Sequence, residues 1–325
     1  MSKEERFNLL YQKIVEKYNY IDNNRKMAKD YLAQLTQDLI WMTLLLIVGM
    51  IIVVGGNKII AYFLFEKFIF MMSLTSLGML ISLFFISKEF IRRLIRRSPA
   101  GITYYKDYKR KVINEMIKSF NKNVQYYHYL GLDMQDYIAG EFENLFNRYH
   151  SEDLIIGILE NDKKISIGEV RTYIKYDDTY ISAYKGIVAK IEIRKKINSK
   201  IYIKKDSKNI IKTKEINIQK VELDSQEFEN LFNIYSDNKI IAMQILTSDV
   251  MNMLIDFYKE IPFEITIKNN NIYIRFHTGE ENLFENPSLY KEALDRDTLY
   301  KYYSILDFTF ELINKIQDVI NKVNI

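Results

Sequence analysis

The stretch Phe263–Phe276 reads FEITIKNNNIYIRF. Phe263, Ile265 and Ile267 alternate, Asn269, Asn270 and Asn271 turn the chain, and Ile272, Ile274 and Phe276 alternate back. Successive side chains of a strand point to opposite faces, and asparagine tolerates tight turns, so the spacing predicts an antiparallel hairpin. The same period spreads outward. Ile187, Ala189, Ile191 and Ile193 alternate with Val188, Lys190, Glu192 and Arg194, which reads as a half-buried strand with one wet face. KIYIKK, from Lys200 to Lys205, repeats the pattern. Further upstream, DLIIGILE and KISIGEVRTYIKY read as two strands around a turn at Asn161-Asp162. Between strands, Ser248 can cap a helix in which Val250, Met251, Leu254 and Phe257 share a face. The chain closes on a long helix carrying Ile305, Leu306, Leu312, Ile313, Ile316, Val319, Ile320 and Val323 at helical spacing. Strands and helices do not alternate regularly. The expected class is therefore α+β, a mainly antiparallel sheet flanked by helices, and a doubly wound nucleotide-binding fold is not expected.

Composition bounds the function. A chain of 325 residues is longer than one average domain and suits a membrane anchor plus a soluble domain. A net charge of +4 lacks the strong basic stripe of a nucleic-acid binder. No cysteine is present, so disulfides, thiolate metal sites and cysteine nucleophiles are excluded. With 11 Gly and 3 Pro, extended disorder is not expected.

Two uncharged runs set the N-terminal organisation. Leu39–Gly56 reads LIWMTLLLIVGMIIVVGG, and Phe68–Ser87 reads FIFMMSLTSLGMLISLFFIS. A helix needs roughly 20 apolar residues to cross a bilayer, so both are expected to be transmembrane helices. Arg25, Lys26 and Lys29 precede the first run, and Lys88, Arg92, Arg93, Arg96 and Arg97 follow the second. By the positive-inside rule both termini are expected in the cytoplasm, giving a multi-pass protein. Arg92, Arg93, Arg96 and Arg97 are also a candidate lipid-facing basic cluster, with topology determination as the plainer reading. Ahead of the first run, Phe7, Leu10, Tyr11, Ile14, Tyr18 and Ile21 recur at helical spacing, an amphipathic helix expected to pack on protein. After Ser98-Pro99-Ala100-Gly101, Tyr105, Tyr108, Val112, Met116 and Phe120 form one stripe. The expected organisation is an amphipathic helix over 1–38, a two-helix transmembrane hairpin over 39–87, membrane-proximal helices over 88–123, and a cytoplasmic α+β domain over 124–325.

A local repeat raises a separate question. EFENLFNRY spans Glu141–Tyr149, EFENLFNIY spans Glu227–Tyr235, and ENLFENP starts at Glu281. The flanks match only briefly, so the repeat reads as a recurring device in which Phe142, Leu145 and Phe146 anchor a turn on a core, and not as a duplicated domain. The search for chemistry finds little. His128, His150 and His277 are not at metal-ligand spacing. The acidic pairs Asp177-Asp178 and Asp295/Asp297 read as solvated turns, and no phosphate loop or nucleophile elbow appears. No metal, cofactor or catalytic residue is assigned.

Val221–Leu254 carries a wider signal in Ser225, Glu227, Phe228, Phe232, Tyr235, Ser236, Asp237, Ala242, Ile245, Leu246 and Thr247. In this order they resemble DUF3137, a family of bacterial membrane proteins of unknown function. Gly157, Glu169 and Val170 upstream, Tyr184–Gly186, and LFENP with Asn286 inserted before Pro287 are similar to further family steps. The resemblance implies an inner-membrane protein and points to a LemA-like membrane protein as a partner. Read physically, Asp224 or Ser225 can cap a short helix, Glu227 can reach back to its free amides, and Phe228 and Phe232 bury together. Alternatively Ser225, Glu227, Tyr235 and Asp237 line a polar groove. The functional expectation is a membrane-anchored cytoplasmic binding or scaffolding module, not an enzyme, with a protein partner, no nucleic acid and a homo-oligomer left open. The alternatives are an anionic-lipid or membrane-state sensor and an enzyme with a scattered site at Ser225, Glu227 and Asp237.

Overall fold

The computed structural model describes residues 1–61, 93, 96, 98–143, 145–159, 163–193, 197–205, 217–279 and 283–322. It divides into two compact units. Met1–Lys13, Lys109–Glu285 and Arg296–Ile325 make the larger one, and Ile14–Tyr108 with Asn286–Asp295 the smaller. Residues 109–123, expected among the membrane-proximal helices, thus belong with the sheet.

Among the described residues the larger unit is built on an antiparallel sheet of nine strands. In chain order they are β1 (Val124–Tyr127), β2 (Arg148–Leu159), β3 (Lys163–Tyr176), β4 (Thr179–Glu192), β5 (Ile201–Lys205), β6 (Gln219–Val221), β7 (Phe232–Ser236), β8 (Phe263–Lys268) and β9 (Asn271–Phe276). Their order across the sheet is β1-β2-β3-β4-β9-β8-β5-β7-β6. The expected hairpin is β8–β9, with Phe263 opposite Phe276 and Lys268 opposite Asn271. Only Asn269 and Asn270 form the loop, and Asn269 takes a positive φ of 55°. The turn expected at Asn161-Asp162 lies outside the described residues.

One sheet face is apolar and covered by helices. The helices of this unit after β6 are α5 (Gln226–Leu231), α6 (Lys239–Ile245), α7 (Ser248–Glu260) and α8 (Arg296–Lys322), the numbers α1 to α4 going to helices described below. Phe308 of α8 packs edge-on to Phe276 of β9 and Phe257 of α7, with ring centroids 6.0 and 5.4 Å away. Ile203, Ile265 and Ile267 from the strands line an apolar crevice with Leu254, Ile316 and Ile320 from the helices. The residue capping α7 is Thr247, whose backbone is extended; Ser248, expected as the cap, is already the first helical residue. The stripe predicted for the last helix is buried at Leu306, Leu312, Ile313, Ile316 and Ile320, and Val323 lies outside the described residues.

The second face differs from the expectation of a wet surface. Val188 is fully buried, and so are Tyr202 and Lys204 of β5. The cover comes from residues 130–143 and 145–147, which include the short helix α4 (Met134–Ala139), capped by Asp133. Leu132, Tyr137 and Phe142 from this cover pack with Val170, Tyr184, Val188 and Tyr273 from the strands. Alternation alone cannot reveal such a cover, because it marks where polar residues point and not what lies over them.

The helix α1 runs without interruption from Lys3 to Ala61, so no break separates the expected amphipathic segment from the expected span. Nothing between residues 3 and 61 is a proline, and the helix satisfies its own backbone through the apolar run. Its first turns belong to the larger unit. Phe7 packs on Tyr300 and Tyr303 of α8 at 5.0 and 5.4 Å, and Arg6 pairs with Asp307 at 2.9 Å. In the smaller unit, Ile40, Trp41, Met42, Leu44, Leu45, Ile47 and Val48 are exposed. Among the described residues α1 is long and apolar enough to cross a membrane. The second expected span, Phe68–Ser87, lies outside the described residues.

The smaller unit also holds α2 (Pro99–Asp107), capped by Ser98, whose Oγ accepts from Gly101 N at 3.0 Å. Arg25 pairs with Asp22 at 2.7 Å, and Ala293 N donates to the same carboxylate at 2.9 Å. After α2 a π-helical turn, Tyr108–Ile113, leads into α3 (Asn114–Phe120) of the larger unit. Of the expected stripe, Tyr108, Val112 and Met116 are buried; Tyr104 is buried in place of Tyr105, and Ile113 and Ile117 join them.

The repeated letters fold in two ways. In the first copy Glu141, Phe142 and Glu143 form an irregular strip after α4, and Arg148 then opens β2. In the second copy Gln226–Leu231 is helix α5 and Phe232 begins β7. Leu145, expected in the core, is 79% exposed. In the third copy Leu283 and Phe284 are buried.

Candidate functional site

The covered sheet face holds a cluster of charges that no spacing argument singled out. Lys204 lies on β5, Glu264, Thr266 and Lys268 on β8, and Arg275 on β9, three strands adjacent in the sheet. Glu264 and Arg275 stand directly opposite each other in the hairpin register. The Arg275 Nε donates to Glu264 at 2.9 Å, and its Nη1 donates to Glu143 of the cover at 3.0 Å. Glu143 also accepts from Tyr137 OH at 2.7 Å and from Thr172 Oγ1 at 3.0 Å. Two carboxylates therefore share one guanidinium. The Arg275 guanidinium also lies over the rings of Tyr184 and Phe142, 4.9 and 5.2 Å from their centroids.

The rest of the cover is tied down beside it. Thr266 Oγ1 donates to Gly140 O at 2.6 Å, and Lys204 Nζ donates to Glu141 O at 2.9 Å. The Glu141 carboxylate accepts from Tyr202 OH at 2.6 Å and pairs with Lys268. Lys204 Nζ sits 4.6 Å from the Phe142 ring centroid. Farther along the cover, Asp136 pairs with Lys190 at 2.8 Å.

Burial and charge set the protonation of this cluster. Burial pushes the Glu264 carboxyl up, but His277, Arg275 and Lys204 together outweigh it and hold it at about 2. His277 Nε2 is 3.7 Å from the Glu264 carboxylate, longer than an ordinary hydrogen bond. Burial pushes the Lys204 ammonium down to about 7, against the pull of Glu264. An unfolded lysine titrates near ~10.4. Between those values the unfolded chain holds a proton that the folded chain lacks, so this group's contribution to stability rises with pH. Its penalty is fully present below about pH 7 and fades as pH climbs toward the unfolded value. The thermal midpoint of the native chain in detergent is therefore expected to gain on that of Lys204→Met between about pH 7 and 9. Parallel pH profiles for the two proteins would show that Lys204 stays charged in the fold.

A second buried cluster lies around Asp153, which has a positive φ of 57° at a register shift in β2. Lys109 Nζ is 2.9 Å from Asp153 and 2.7 Å from Glu285, and Arg171 is bonded to Glu152. Burial raises the Asp153 carboxyl to about 6 despite Lys109 and Tyr126. The carboxylates of Glu152, Asp153 and Glu169 lie within 4.8 Å of one another. Lys109 and Arg171 already supply the compensating charge that an ion would bring.

The residues singled out from sequence are spread over different surroundings. Ser225 caps α5, its Oγ accepting from Phe228 N at 3.3 Å, as expected. Glu227 does not reach back over the helix start. It turns to Lys259 of α7 at 3.1 Å, and Glu229 instead accepts from Leu223 N at 2.8 Å. Tyr235 stands in β7 opposite Tyr202 and Lys220. Asp237 accepts from Ser199 Oγ at 2.7 Å and Lys200 N at 2.8 Å, fastening the start of β5. Phe228 and Phe232 bury together with centroids 4.9 Å apart. Arg93 and Arg96 are exposed, Arg96 lying 5.4 Å from the Tyr105 ring centroid. Arg92 and Arg97 lie outside the described residues. The missed signal was legible in FEITIKNNNIYIRF, where the hairpin register sets Glu264 opposite Arg275.

Residues 182–317 match the family model described as "Protein of unknown function (DUF3137)". The match runs from β4 into α8 and takes in Tyr184–Gly186, Ser225–Thr247 and Pro287; Gly157, Glu169 and Val170 fall outside it. It contains Lys204, Glu264 and Arg275 but not the cover. No curated protein matches the chain. Among solved structures, the crystal structure of the mycobacterial trehalose monomycolate transport factor A, TtfA, is similar at a TM-score of 0.36 and 11% identity. That similarity covers 62% of this chain and 96% of the other.

Proposed function

We propose that this chain, which carries the DUF3137 segment at residues 182–317, is a membrane-anchored, non-catalytic module that recruits a protein partner to the bilayer. The observation that carries this reading is α1. One unbroken helix, Lys3–Ala61, starts with Phe7 buried against α8 and later presents Ile40, Trp41, Met42, Leu44, Leu45, Ile47 and Val48 of the uncharged run with their side chains exposed. An apolar run of that length and exposure is at home in hydrocarbon, and the folded sheet unit is then held at the bilayer. The basic flanks favour a multi-pass protein with cytoplasmic termini and, with them, a sheet unit on the cytoplasmic side. A LemA-like membrane protein is the proposed partner.

Crosslinking in native membranes, followed by purification through a C-terminal tag and mass spectrometry, tests the reading. A stoichiometric membrane or cytoplasmic protein is the expected result. A preparation that carries no protein but retains anionic lipid would transfer the role to the basic turn at Arg93 and Arg96.

A further inference from the structure

We infer that Gly140–Glu143 act as an internal ligand and that the sheet face beneath them binds an acidic, extended segment of a protein partner, an inference that rests on the recruiting role proposed above. The strip is irregular chain held by its contacts. Glu141 takes a positive φ of 51°, a conformation that a non-glycine residue keeps only where its surroundings enforce it. What holds it is a receptor-like set of groups on rigid strands. Lys204 and Thr266 grip the backbone carbonyls of Glu141 and Gly140, which any peptide would present. Lys268 and Tyr202 take one carboxylate, and Arg275 and Thr172 take the next, two residues along the chain. The intervening Phe142 ring fills the space over Lys204 and Arg275.

Charge makes the same point. Lys268 and Arg275, joined by Lys204 where it holds its proton, share their strands with a single carboxylate, Glu264, and the strip supplies two more, one to Lys268 and one to Arg275. Without the strip this face would be a cationic groove with aligned donors, complementary to a segment bearing acids at alternate positions. The Glu141 side chain is 40% exposed, whereas that of Glu143 is 12% exposed, so the Glu141 end is where a competing acidic segment can begin. Strands stay in place while a loop leaves at low cost, which suits the strip as the displaceable partner.

The test uses the full chain in detergent and a fluorescein-labelled peptide with the sequence of residues 138–147, IAGEFENLFN. A tethered strip competes at an effective concentration on the order of millimolar, so free peptide should bind weakly to the native chain. Glu141→Gln combined with Glu143→Gln removes the charges by which the strip competes and leaves every strand residue in place. The double variant is expected to bind the peptide at least about tenfold more tightly than the native chain in fluorescence anisotropy. A peptide with Gln at both glutamate positions is expected to bind neither protein. No binding to the folded variant overturns the proposal, and so does equal binding of the glutamine peptide. Should the double variant not fold, Gly140→Ala is the second release variant. A Cβ there would lie 2.4 Å from the Phe142 ring and displace it while keeping both carboxylates, with the same two outcomes read. Failure of peptide binding alongside a partner recovered from membranes would leave the recruiting role standing and place the partner elsewhere on the chain.

Discussion

Replacing Arg275 with alanine is expected to destabilise the sheet unit by about 4 kcal/mol near neutral pH, because removing one partner of a buried ion pair strands the others. Arg275 is shared by Glu264 and Glu143, whose side chains are 9% and 12% exposed. Neither carboxylate can turn to bulk water without moving the hairpin or the cover. The loss should depend on pH in a defined direction. In the native chain the Glu264 carboxyl is held at about 2, so its stabilising contribution is present above the unfolded value near ~4.3 and is lost as pH falls toward 2. Without Arg275 the pull that offsets burial is weakened and the same group moves up from that value, so the variant has less of this contribution left to lose in acid. The gap between the two proteins should therefore narrow as pH drops from about 7 to 4.5. Thermal unfolding of both at those two values checks this. A gap that stays constant or widens would mean that the stranded carboxylates have found other partners. Arg275→Lys should fall between, since it restores the charge but not the planar fork that reaches two carboxylates.

Gly186→Ala is expected to cost about 3 kcal/mol or more, and for a reason of shape alone. Gly186 has a φ of 156°, a conformation that side-chain-bearing residues rarely adopt. A Cβ at this position would lie 2.1 Å from the backbone oxygen of Phe276 and 2.7 Å from the Tyr184 hydroxyl. The first of these is main chain of the neighbouring strand, so relief requires β4 and β9 to separate. Tyr184 is tied to the same place: its hydroxyl lies 2.8 Å from the carbonyl oxygens of both Ile187 and Phe276. The aromatic-x-Gly step at Tyr184–Gly186 is thus a joint in which the ring's hydroxyl caps carbonyls that the glycine allows to approach. Amide exchange along β9 should rise in the variant together with the fall in unfolding midpoint. A variant with unchanged midpoint and unchanged exchange at Phe276 would refute the close approach.

The two variants probe the same hairpin by different physics, and only one of them could be anticipated from the letters. Arg275 opposite Glu264 follows from period, turn length and antiparallel register. The third partner, Glu143, lies 132 residues away in sequence, and nothing local to it announces the contact. Its neighbourhood even misleads, since EFENLF in the second copy is a capped helix with buried phenylalanines, whereas in the first it is a strip over a polar face. Leu145, a core anchor by analogy of letters, is exposed.

The sequence by itself determined the antiparallel hairpins, the long C-terminal helix and the apolar run of α1, because each follows from a repeat of 2.0 or 3.6 residues or from a length of uncharged chain. It also determined the local cap at Ser225, where a hydroxyl meets an amide three residues on. Tertiary structure decided which sheet face would be dry, what would lie over the other, and which charges would share a partner. Those outcomes depend on where a distant segment comes to rest, and the free energy of a buried charge is set by the groups around it, not by its neighbours in sequence.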